Sequence, residues 1–243
     1  MERALNIVHL FPDLLNLYGD AGNILVLKKR CKLRNIDVNV TIYSIDDEID
    51  LKTADIVILG GGEDTAMKIV NDKLKNCISE LKEYRDSDGI LLSLCGGYKL
   101  IGNYYVENGE KIEGLGLCDF YSVENEKRFT GNVCVDTPFG VIVGFENHDT
   151  KTYIGENSMP FGKVIRGFGN NGEDKTEGIV YKNFYGTYLH GPVLPKNPEF
   201  ADALIRKALA RKYDEESSEL TEIDDELGKK AKAYILNLKK DEL

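Results

Sequence analysis

Residues 89–102 read Gly89-Ile90-Leu91-Leu92-Ser93-Leu94-Cys95-Gly96-Gly97-Tyr98-Lys99-Leu100-Ile101-Gly102. The apolar run 90–94 predicts a buried strand, and a helix is expected to begin directly after Cys95. The backbone must turn sharply between these two elements, and Gly96 and Gly97 supply the small residues that such a turn needs. The segment therefore predicts the cysteine counterpart of a nucleophile elbow, with the thiol directed at a helix N-terminus.

This position would make Cys95 reactive. A free thiol with a pKa near 8.5 is only a few per cent thiolate at neutral pH, whereas a helix N-terminus and a nearby imidazolium can lower that pKa by about one to several units. A cysteine in an apolar strand can also be a packing residue and nothing more. Cys95 is thus a candidate nucleophile that needs a base.

A second glycine run follows another predicted strand, in Ile58-Leu59-Gly60-Gly61-Gly62-Glu63. Three glycines let backbone N–H groups approach a bound substrate closely, and such groups can hold an oxyanion. We predict an oxyanion hole that combines the Gly96 amide with Gly61 or Gly62. The run lacks the Gly-Lys-Ser/Thr ending of a P-loop, so an ATP-dependent step is expected elsewhere.

Outward from these segments, short apolar runs alternate with helix-period segments, which predicts an α/β fold with a mostly parallel central sheet flanked by helices. Strands buried on both faces are predicted at 5–10, 38–45, 56–59 and 90–94. From 117 to 188, short runs separated by Gly, Asn and Asp predict an additional antiparallel sheet. One predicted helix carries a single apolar stripe, formed by Met67, Val70, Leu74, Cys77, Ile78 and Leu81.

The domain organisation is predicted as one main domain, 1–212, followed by a charged linker and an amphipathic helix within 213–243. That helix is expected to pack on the domain or on a partner through one face, formed by Leu227, Ala231, Tyr234, Ile235 and Leu238. The chain ends in Lys240-Asp241-Glu242-Leu243, which spells an endoplasmic-reticulum retention address. Since the N-terminus lacks a signal-peptide pattern, we interpret these residues as a charged helix end.

Composition excludes several classes of function. The chain has 41 acidic and 31 basic residues and no basic stripe, so nucleic acid is not an expected partner. Its five cysteines are widely spread without a C-x-x-C pair, which predicts neither disulfides nor a metal site and fits a reducing, cytoplasmic location. The apolar runs are too short to span a membrane.

Three histidines are candidate bases. His9 lies inside the first predicted strand and is expected to be a core residue. His190 ends an alternating strand at a Gly-Pro pair, where its imidazole would stand at a sheet edge and could meet the thiol. His148 follows a predicted strand and could line a site or cap a turn, so it stays an alternative to His190.

The paired motifs Ser93-Leu94-Cys95-Gly96-Gly97-Tyr98 and Gly186-Thr187-Tyr188-Leu189-His190-Gly191 resemble those of the cobyric-acid-synthase branch of class I glutamine amidotransferases. The resemblance covers about residues 4–212 and implies a flavodoxin-like fold. It narrows towards the glutaminase subunits of lipid II isoglutaminyl synthases at Leu17-Tyr18-Gly19-Asp20-Ala21-Gly22-Asn23, Glu113-Gly114-Leu115-Gly116, Gly144-Phe145-Glu146-Asn147-His148 and the segment 190–197.

The resemblance implies hydrolysis of glutamine through a γ-glutamyl thioester on Cys95, with His190 as general base. It also implies that Arg128 binds the glutamine α-carboxylate, for which a guanidinium offers two parallel charge-assisted hydrogen bonds. The ammonia would pass to a Mur-ligase-like partner of the MurT type in a heterodimer. That partner would use ATP and Mg²⁺ to amidate the D-glutamate α-carboxyl of lipid II, whereas no cofactor is expected in this chain.

Two positions depart from the family pattern. Lys99 stands where many class I amidotransferases have a glutamine, and Pro192 where many have the carboxylate that orients the histidine. We hypothesise that the partner supplies the missing acid, with Glu199 as the internal alternative. The sequence also allows a stand-alone thiol γ-glutamyl hydrolase, an amidotransferase for another acceptor such as a cobyrinate-type carboxylate, and a non-catalytic assembly module.

Overall fold

The computed structural model describes residues 3–238, and the first half of the chain alternates strands with helices. This order confirms the predicted α/β class. The elements, in chain order, are β1 (Arg3–Leu10), α1 (Ala21–Lys32), β2 (Ile36–Tyr43), β3 (Ile56–Leu59), α2 (Asp64–Lys75), α3 (Ile78–Asp86), β4 (Ile90–Leu94) and α4 (Gly96–Leu100).

The second half consists mainly of strands and closes with two helices. Its elements are β5 (Tyr104–Glu107), β6 (Glu110–Glu113), β7 (Phe120–Thr137), β8 (Gly140–Ile154), β9 (Gly162–Arg166), β10 (Thr176–Glu177), β11 (Ile179–Tyr181), β12 (Phe184–Thr187), α5 (Pro198–Lys212) and α6 (Glu226–Asn237). A short 3-10 helix, Leu194–Lys196, precedes α5, and another, Glu216–Ser218, follows it. The retention-like sequence at 240–243 lies outside the described residues.

Six strands form the central sheet in the order β11-β12-β4-β3-β1-β2, with β4 inside it. Five of them run parallel, and β11 pairs antiparallel with β12 at one edge. The register sets Leu94 of β4 beside Thr187 of β12, and Ser93 beside Leu59 of β3. The carboxyl ends of these three strands therefore meet at one edge of the sheet, where open α/β sheets bind their ligands.

Helices cover both faces of this sheet. Leu59 shares an apolar core with Met67 of α2 on one face, and Ile58 shares another with Leu204 of α5 on the opposite face. Burial on both faces is confirmed for β3 and β4. For the predicted strand 38–45 it was wrong, because β2 is the edge strand and its side chains alternate between half-buried and exposed.

The predicted single helix with one apolar stripe is two helices. α2 ends at Lys75, α3 begins at Ile78, and the half-buried Cys77 lies at the break. The Cys77 amide donates a hydrogen bond to Leu74 O at 3.2 Å, which closes a tight turn between the helices. The turn redirects the chain so that Leu81 of α3 still packs in the same core as α2.

The predicted antiparallel region is confirmed as a second sheet, in which β7 and β8 form a long hairpin. A register shift between Glu124 and Phe129 interrupts their pairing. Beyond the shift, Phe129 lies opposite His148 and Thr130 opposite Asn147. Residues beside this irregularity, Arg128 on β7 and Asn147 to Thr150 on β8, line the same cavity as Cys95.

The predicted C-terminal helix is present as α6, and only part of its predicted apolar face contacts the described domain. Leu227 and Tyr234 are 83% and 68% exposed, whereas Lys232 and Ile235 are half-buried. Lys232 Nζ lies 3.1 Å from Glu199 Oε2. The Lys232–Glu199 pair and the half-buried Ile235 therefore lie on the side of α6 that faces the domain. Among residues 3–238, no helix has both the length and the apolar character required to cross a membrane.

Candidate active site

Cys95 lies at the turn between β4 and α4 in a strained backbone conformation, with φ 49° and ψ −111°. Gly96 and Gly97 follow it without room for a side chain: a Cβ on Gly97 would lie 2.5 Å from Gly60 O, and one on Gly96 would lie 2.6 Å from Met67 Sδ. The Cys95 amide donates to Thr187 O of β12 at 2.8 Å. The elbow geometry predicted from the sequence is thus present.

A cavity of about 230 Å³ opens beside this thiol, between the carboxyl ends of the central strands and the β7–β8 hairpin. Its walls combine the elbow, the glycine run after β3, the loop before α1 and the hairpin of the second sheet. The lining residues are Leu17, Tyr18, Gly62, Glu63, Asp64, Cys95, Gly96, Lys99, Arg128, Asn147, His148, Asp149, Thr150 and Tyr188. The cavity therefore brings together Cys95, two of the three predicted oxyanion-hole residues, and Arg128.

The sequence predicted that a helix N-terminus and a nearby imidazolium would lower the pKa of the Cys95 thiol, but in the structure burial dominates and raises this pKa. Burial raises the pKa of Cys95 to about 12, and the charge of Asp20 also raises this pKa. The charge of Lys99 and the Gly96 amide lower this pKa without outweighing the effect of burial. Part of the side chain is open to the cavity, but the protein around the sulfur removes most of the water that would solvate a thiolate. Cys95 is accordingly a thiol at neutral pH and needs a base.

His190 is a buried, neutral imidazole. Burial lowers its pKa to about 4, with smaller contributions from His148 and Lys196, so at neutral pH the ring is uncharged and a weak base. Only 1% of the residue is exposed, and neither ring nitrogen has a hydrogen-bond partner among the described residues. The Tyr18 ring stacks on the imidazole, with centroids 4.0 Å apart, and the backbone of His190 pairs with Phe145. A Cys95–His190 hydrogen bond is therefore not formed in this arrangement.

His148, the alternative base, itself lines the cavity. Its Nδ1 lies 2.9 Å from Thr150 O, which fixes Nδ1 as the protonated nitrogen and leaves Nε2 as the acceptor. Nε2 has no hydrogen-bond partner among the described residues and lies 3.8 Å from Glu146 Oε2. The ring stacks on Tyr188 at 3.6 Å. The third histidine, His9, is buried in β1, as expected of a core residue.

Arg128 extends from β7 into the cavity wall. Its Nη1 donates to Asn147 Oδ1 at 3.2 Å, and its Nη2 pairs with Asp149. The side chain is 53% exposed, so these partners compete with water and can be replaced by another anion. Arg128 could therefore present its guanidinium to a carboxylate bound in the cavity.

A scan of protein families matches residues 6–198 to the CobB/CobQ-like glutamine amidotransferase domain. The chain belongs to this family. Among proteins of known function, it is 43% identical to the lipid II isoglutaminyl synthase (glutamine-hydrolyzing) subunit GatD of Staphylococcus aureus, over 96% of this chain and 95% of that one. It is 41% identical to the GatD subunit of Streptococcus pneumoniae, over 86% of this chain and 82% of that one.

Solved structures of low sequence identity share the amidotransferase fold. A crystal structure of a glutamine amidotransferase matches with a TM-score of 0.57 at 16% identity, over 83% of this chain and 98% of that chain. A Thermotoga maritima glutamine amidotransferase matches with a TM-score of 0.52 at 13% identity, over 96% of this chain and 94% of that chain. The predicted class I, flavodoxin-like fold is therefore confirmed.

One of the predicted oxyanion donors of this amidotransferase is already engaged. The Gly61 amide donates to Asp20 Oδ2 at 2.9 Å, and Gly61 O accepts from the Leu17 amide at 3.1 Å. Since N–H and C=O point in opposite directions in a trans peptide, the bond from Leu17 also orients the Gly62 amide. Gly62 lines the cavity, so the prediction narrows to the amides of Gly62 and Gly96. The sequence had shown Asp20 only as part of a family motif.

Lys99, the departure from the family glutamine, lies in the cavity wall. Only 9% of the residue is exposed, and its Nζ lies 3.4 Å from Glu107 Oε1. Lys99 therefore places a buried positive charge on the wall that also carries Cys95. The sequence placed this lysine where many class I amidotransferases have a glutamine. Residue 99 therefore still lines the cavity, but it carries an ammonium group in place of a side-chain amide.

No carboxylate among the described residues hydrogen-bonds to His190. Glu199, the internal alternative for the orienting acid, is exposed and pairs with Lys232 of α6. Pro192 packs against Gly22, where an added Cβ would lie 2.5 Å from Pro192 Cγ. Within residues 3–238 there is also no cluster of three His, Cys, Asp or Glu side chains that could hold a metal ion.

Proposed function

We propose that this amidotransferase is the glutaminase subunit of a lipid II isoglutaminyl synthase. One observation carries the proposal: Cys95 at a strained elbow, the amides of Gly62 and Gly96, and Arg128 line a single cavity. The 43% identity to the Staphylococcus aureus GatD subunit, across nearly the whole of both chains, supports lipid II as the final acceptor. Arg128 would bind the α-carboxylate of glutamine and direct its side-chain amide towards Cys95.

In the first half of the reaction, His190 takes the proton of the Cys95 thiol, and the sulfur attacks the amide carbon of glutamine. The lowered pKa of His190 keeps the imidazole neutral, with a lone pair for this proton, but it also makes the ring a weak base until a carboxylate stabilises the imidazolium. The Gly62 and Gly96 amides would stabilise the oxyanion that forms. The carbon–nitrogen bond then breaks as the imidazolium gives its proton to the leaving nitrogen. Ammonia leaves, and a γ-glutamyl thioester remains on Cys95.

In the second half, His190 takes a proton from water as the water attacks the thioester. The carbon–sulfur bond breaks, the imidazolium returns a proton to the sulfur, and glutamate leaves. The His190 ring nitrogens have no partner among the described residues, so a carboxylate is needed to orient the imidazolium that forms twice in this cycle. We propose that the partner subunit supplies this carboxylate, because Pro192 occupies the usual position and Glu199 pairs with Lys232.

The partner proposed here is a Mur-ligase-like subunit of the MurT type in a heterodimer. It would bind ATP and Mg²⁺ and activate the D-glutamate α-carboxyl of lipid II, which the ammonia would convert to D-isoglutamine. This chain would contribute glutamine hydrolysis without a cofactor of its own. The proposed site of action is the cytoplasm, where glutamine and ATP are supplied.

The test is glutamate release from glutamine, measured for the chain alone and for the chain with the partner. Wild type is compared with Cys95→Ala, His190→Ala and Arg128→Ala, and Cys77→Ala is the matched control because Cys77 lies outside the cavity. We expect the Cys95 and His190 variants to lose activity by at least about 10³-fold and the control to keep it. Unchanged turnover in Cys95→Ala would refute the proposal.

Three further outcomes test whether the partner is required, which acceptor is amidated and whether this chain supplies the nitrogen. Equal rates with and without the ligase would contradict a partner-supplied carboxylate and would point to a stand-alone thiol γ-glutamyl hydrolase. Amidation of a cobyrinate-type carboxylate in place of lipid II by the complex would contradict the acceptor proposed here. Loss of amidation in Cys95→Ala, with rescue by added ammonium, is expected if this chain supplies the nitrogen.

A further inference from the structure

Tyr18 covers the proposed base. It lies in the loop between β1 and α1, where it is half-buried and lines the cavity. Its ring stacks on His190 with centroids 4.0 Å apart and an interplanar angle of 16°, and the Phe145 ring meets the imidazole at 63°. Because His190 is 1% exposed, these two rings hold its plane and keep water from it. Tyr18 lines the cavity, whereas His190, on which it stacks, does not.

A hydrogen-bonded chain joins Tyr18 to Arg128. Asn147 Oδ1 accepts from Arg128 Nη1 at 3.2 Å, and Asn147 Nδ2 donates to Tyr18 Oη at 2.7 Å. A guanidinium has only donors, so the Asn147 oxygen must face Arg128 and its NH₂ group must face the tyrosine. Arg128 is therefore the donor to Asn147, and Asn147 is the donor to the Tyr18 hydroxyl.

The β-hairpin fixes the middle of this chain. Asn147 lies opposite Thr130 in the register of β7 and β8, and Thr130 Oγ1 also donates to Asn147 Oδ1 at 3.3 Å. The amide therefore cannot rotate without breaking three hydrogen bonds. A change at Arg128 is transmitted through Asn147 to one atom of Tyr18, and through the Tyr18 ring to the imidazole.

We propose that Tyr18 and Asn147 are positioning residues that couple the binding of glutamine at Arg128 to the orientation of His190. This inference rests on the proposed glutaminase function and explains how glutamine binding would prepare His190 for the reaction. When the α-carboxylate of glutamine takes the Arg128 donors, Asn147 loses its bond to the guanidinium. Tyr18 then shifts on the imidazole, and a ring nitrogen of His190 becomes available to the Cys95 thiol.

The contacts of His190 make its pKa a measure of whether Tyr18 covers the imidazole. His148 on β8 and Lys196 in the 3-10 helix are the charged or titratable groups that lower its pKa, together with burial, and Tyr18 and Phe145 supply ring contacts. Removing the Tyr18 ring would admit water to the imidazole. The pKa of His190 should then rise from about 4 towards the ordinary value for histidine.

The first experiment measures kcat, KM and their pH dependence for Tyr18→Phe, Tyr18→Ala and Asn147→Ala, in the same complex as wild type. Tyr18→Phe removes the Asn147–Tyr18 hydrogen bond, and Asn147→Ala removes that bond together with those to Arg128 and Thr130. Tyr18→Phe should lower kcat about tenfold, and the double variant should have the same kcat as Asn147→Ala alone. Tyr18→Ala should lower kcat about 100-fold and move the acidic limb of the pH profile to higher pH. Tyr234→Ala, on the exposed face of α6, is the control and should behave as wild type.

The second experiment follows the imidazole directly. In the full-length chain with Cys95→Ala, which binds glutamine without turnover, the His190 ring proton signals are recorded by NMR with and without glutamine. Glutamine should shift these signals when Tyr18 is present and leave them unchanged in the Tyr18→Phe background. Thermal unfolding of each variant separates a loss of coupling from a loss of fold.

The outcomes separate this inference from the proposed function. If Cys95→Ala keeps full glutaminase activity, the function fails. If Cys95→Ala is inactive but Tyr18→Phe and Asn147→Ala lower kcat independently, so that their effects multiply, the coupling is refuted while the function stands. A glutamine-dependent shift of the His190 signals that persists in Tyr18→Phe would refute it as well.

Discussion

The two walls of the cavity are built in different ways. The elbow wall, with Cys95 and the glycine run 60–62, is close-packed, and an added methyl on Gly97 would meet backbone oxygen at 2.5 Å. The hairpin wall carries Arg128 and Asp149, whose side chains are 53% and 51% exposed. The elbow wall is thus fixed by steric exclusion, whereas the hairpin wall has groups that can change partners. This difference suits a nucleophile that must not move and a substrate clamp that must exchange ligands.

The walls also differ in electrostatics. Burial raises the pKa values of Cys95 and Asp20 on the elbow side, to about 12 and about 6. The Arg128–Asp149 pair on the hairpin side is exposed and screened by water. Substitutions in the elbow wall should therefore change stability and thiol chemistry, and substitutions in the hairpin wall should change substrate binding.

The largest effect is expected from Gly97→Ala. The new Cβ would lie 2.5 Å from Gly60 O and 2.9 Å from Leu59 O, and neither backbone atom can retreat without moving β3. We expect the free energy of unfolding to fall by at least about 3 kcal/mol, and the glutaminase activity to be lost. Urea-induced unfolding at neutral pH measures the change.

The control for this variant is Gly109→Ala. An added Cβ on Gly109 would meet nothing within 4 Å, but its φ of 75° leaves a backbone cost of about 1 kcal/mol. If Gly97→Ala proved as stable as this control, the elbow wall could not be close-packed in the way described.

Arg128→Ala should affect binding and leave the fold intact. The loss of charge-assisted hydrogen bonds to the α-carboxylate should raise KM for glutamine by about 10- to 100-fold. The free energy of unfolding should change by less than about 0.5 kcal/mol because the Arg128 ion pair is exposed. Steady-state kinetics and thermal unfolding test the two statements. The neighbouring Lys127→Ala is the matched control, since Lys127 is exposed and does not line the cavity.

Asp20→Asn should change stability in a pH-dependent way. The folded pKa of about 6 lies above the ordinary carboxyl value, so between about pH 4 and 6 the folded state binds more protons than the unfolded state. Wild type therefore loses stability as pH rises through that window, whereas asparagine can still accept from the Gly61 amide and does not ionise. The variant should be more stable than wild type by up to about 3 kcal/mol at pH 8 and should lose this advantage near pH 4.

The measurement for Asp20→Asn is chemical unfolding across that pH range, with Asp13→Asn as the control. Asp13 is an exposed carboxylate in the same loop. A stability difference between Asp20→Asn and wild type that does not vary with pH would show that the buried carboxylate is not the titrating group.

The smallest effect is expected from Lys99→Gln. The Lys99 charge lowers the pKa of Cys95, so its removal should raise that pKa and slow alkylation of the thiol by iodoacetamide by about three- to tenfold at a given pH. Lys99→Arg keeps the charge and should retain most of the wild-type rate. Faster alkylation in Lys99→Gln would contradict the electrostatic role of this lysine.

The elbow could be predicted because its chemistry is local: a strand, a cysteine and two glycines are adjacent in the sequence, and sterics allow few other conformations. The single helix predicted over Met67 to Leu81 was wrong because helical spacing does not show a tight turn such as that at Cys77. The buried strand at 38–45 was partly wrong because an apolar run does not reveal which strand lies at the sheet edge. Likewise, the sequence of α6 could not show that Leu227 and Tyr234 of its apolar stripe are exposed while Lys232 pairs with Glu199 of the domain.

The sequence by itself determined the α/β class, the elbow at Cys95 and the family motifs, since each depends on residues that are neighbours in the chain. The tertiary structure alone decided that Tyr18 covers His190, that Asp20 occupies the Gly61 amide and that Asn147 joins Arg128 to Tyr18. These contacts link residues up to 172 positions apart, and they depend on strand register and loop packing. A one-residue change in the strand register would turn the same side chains to the opposite face of the sheet. The register cannot be read directly from the sequence.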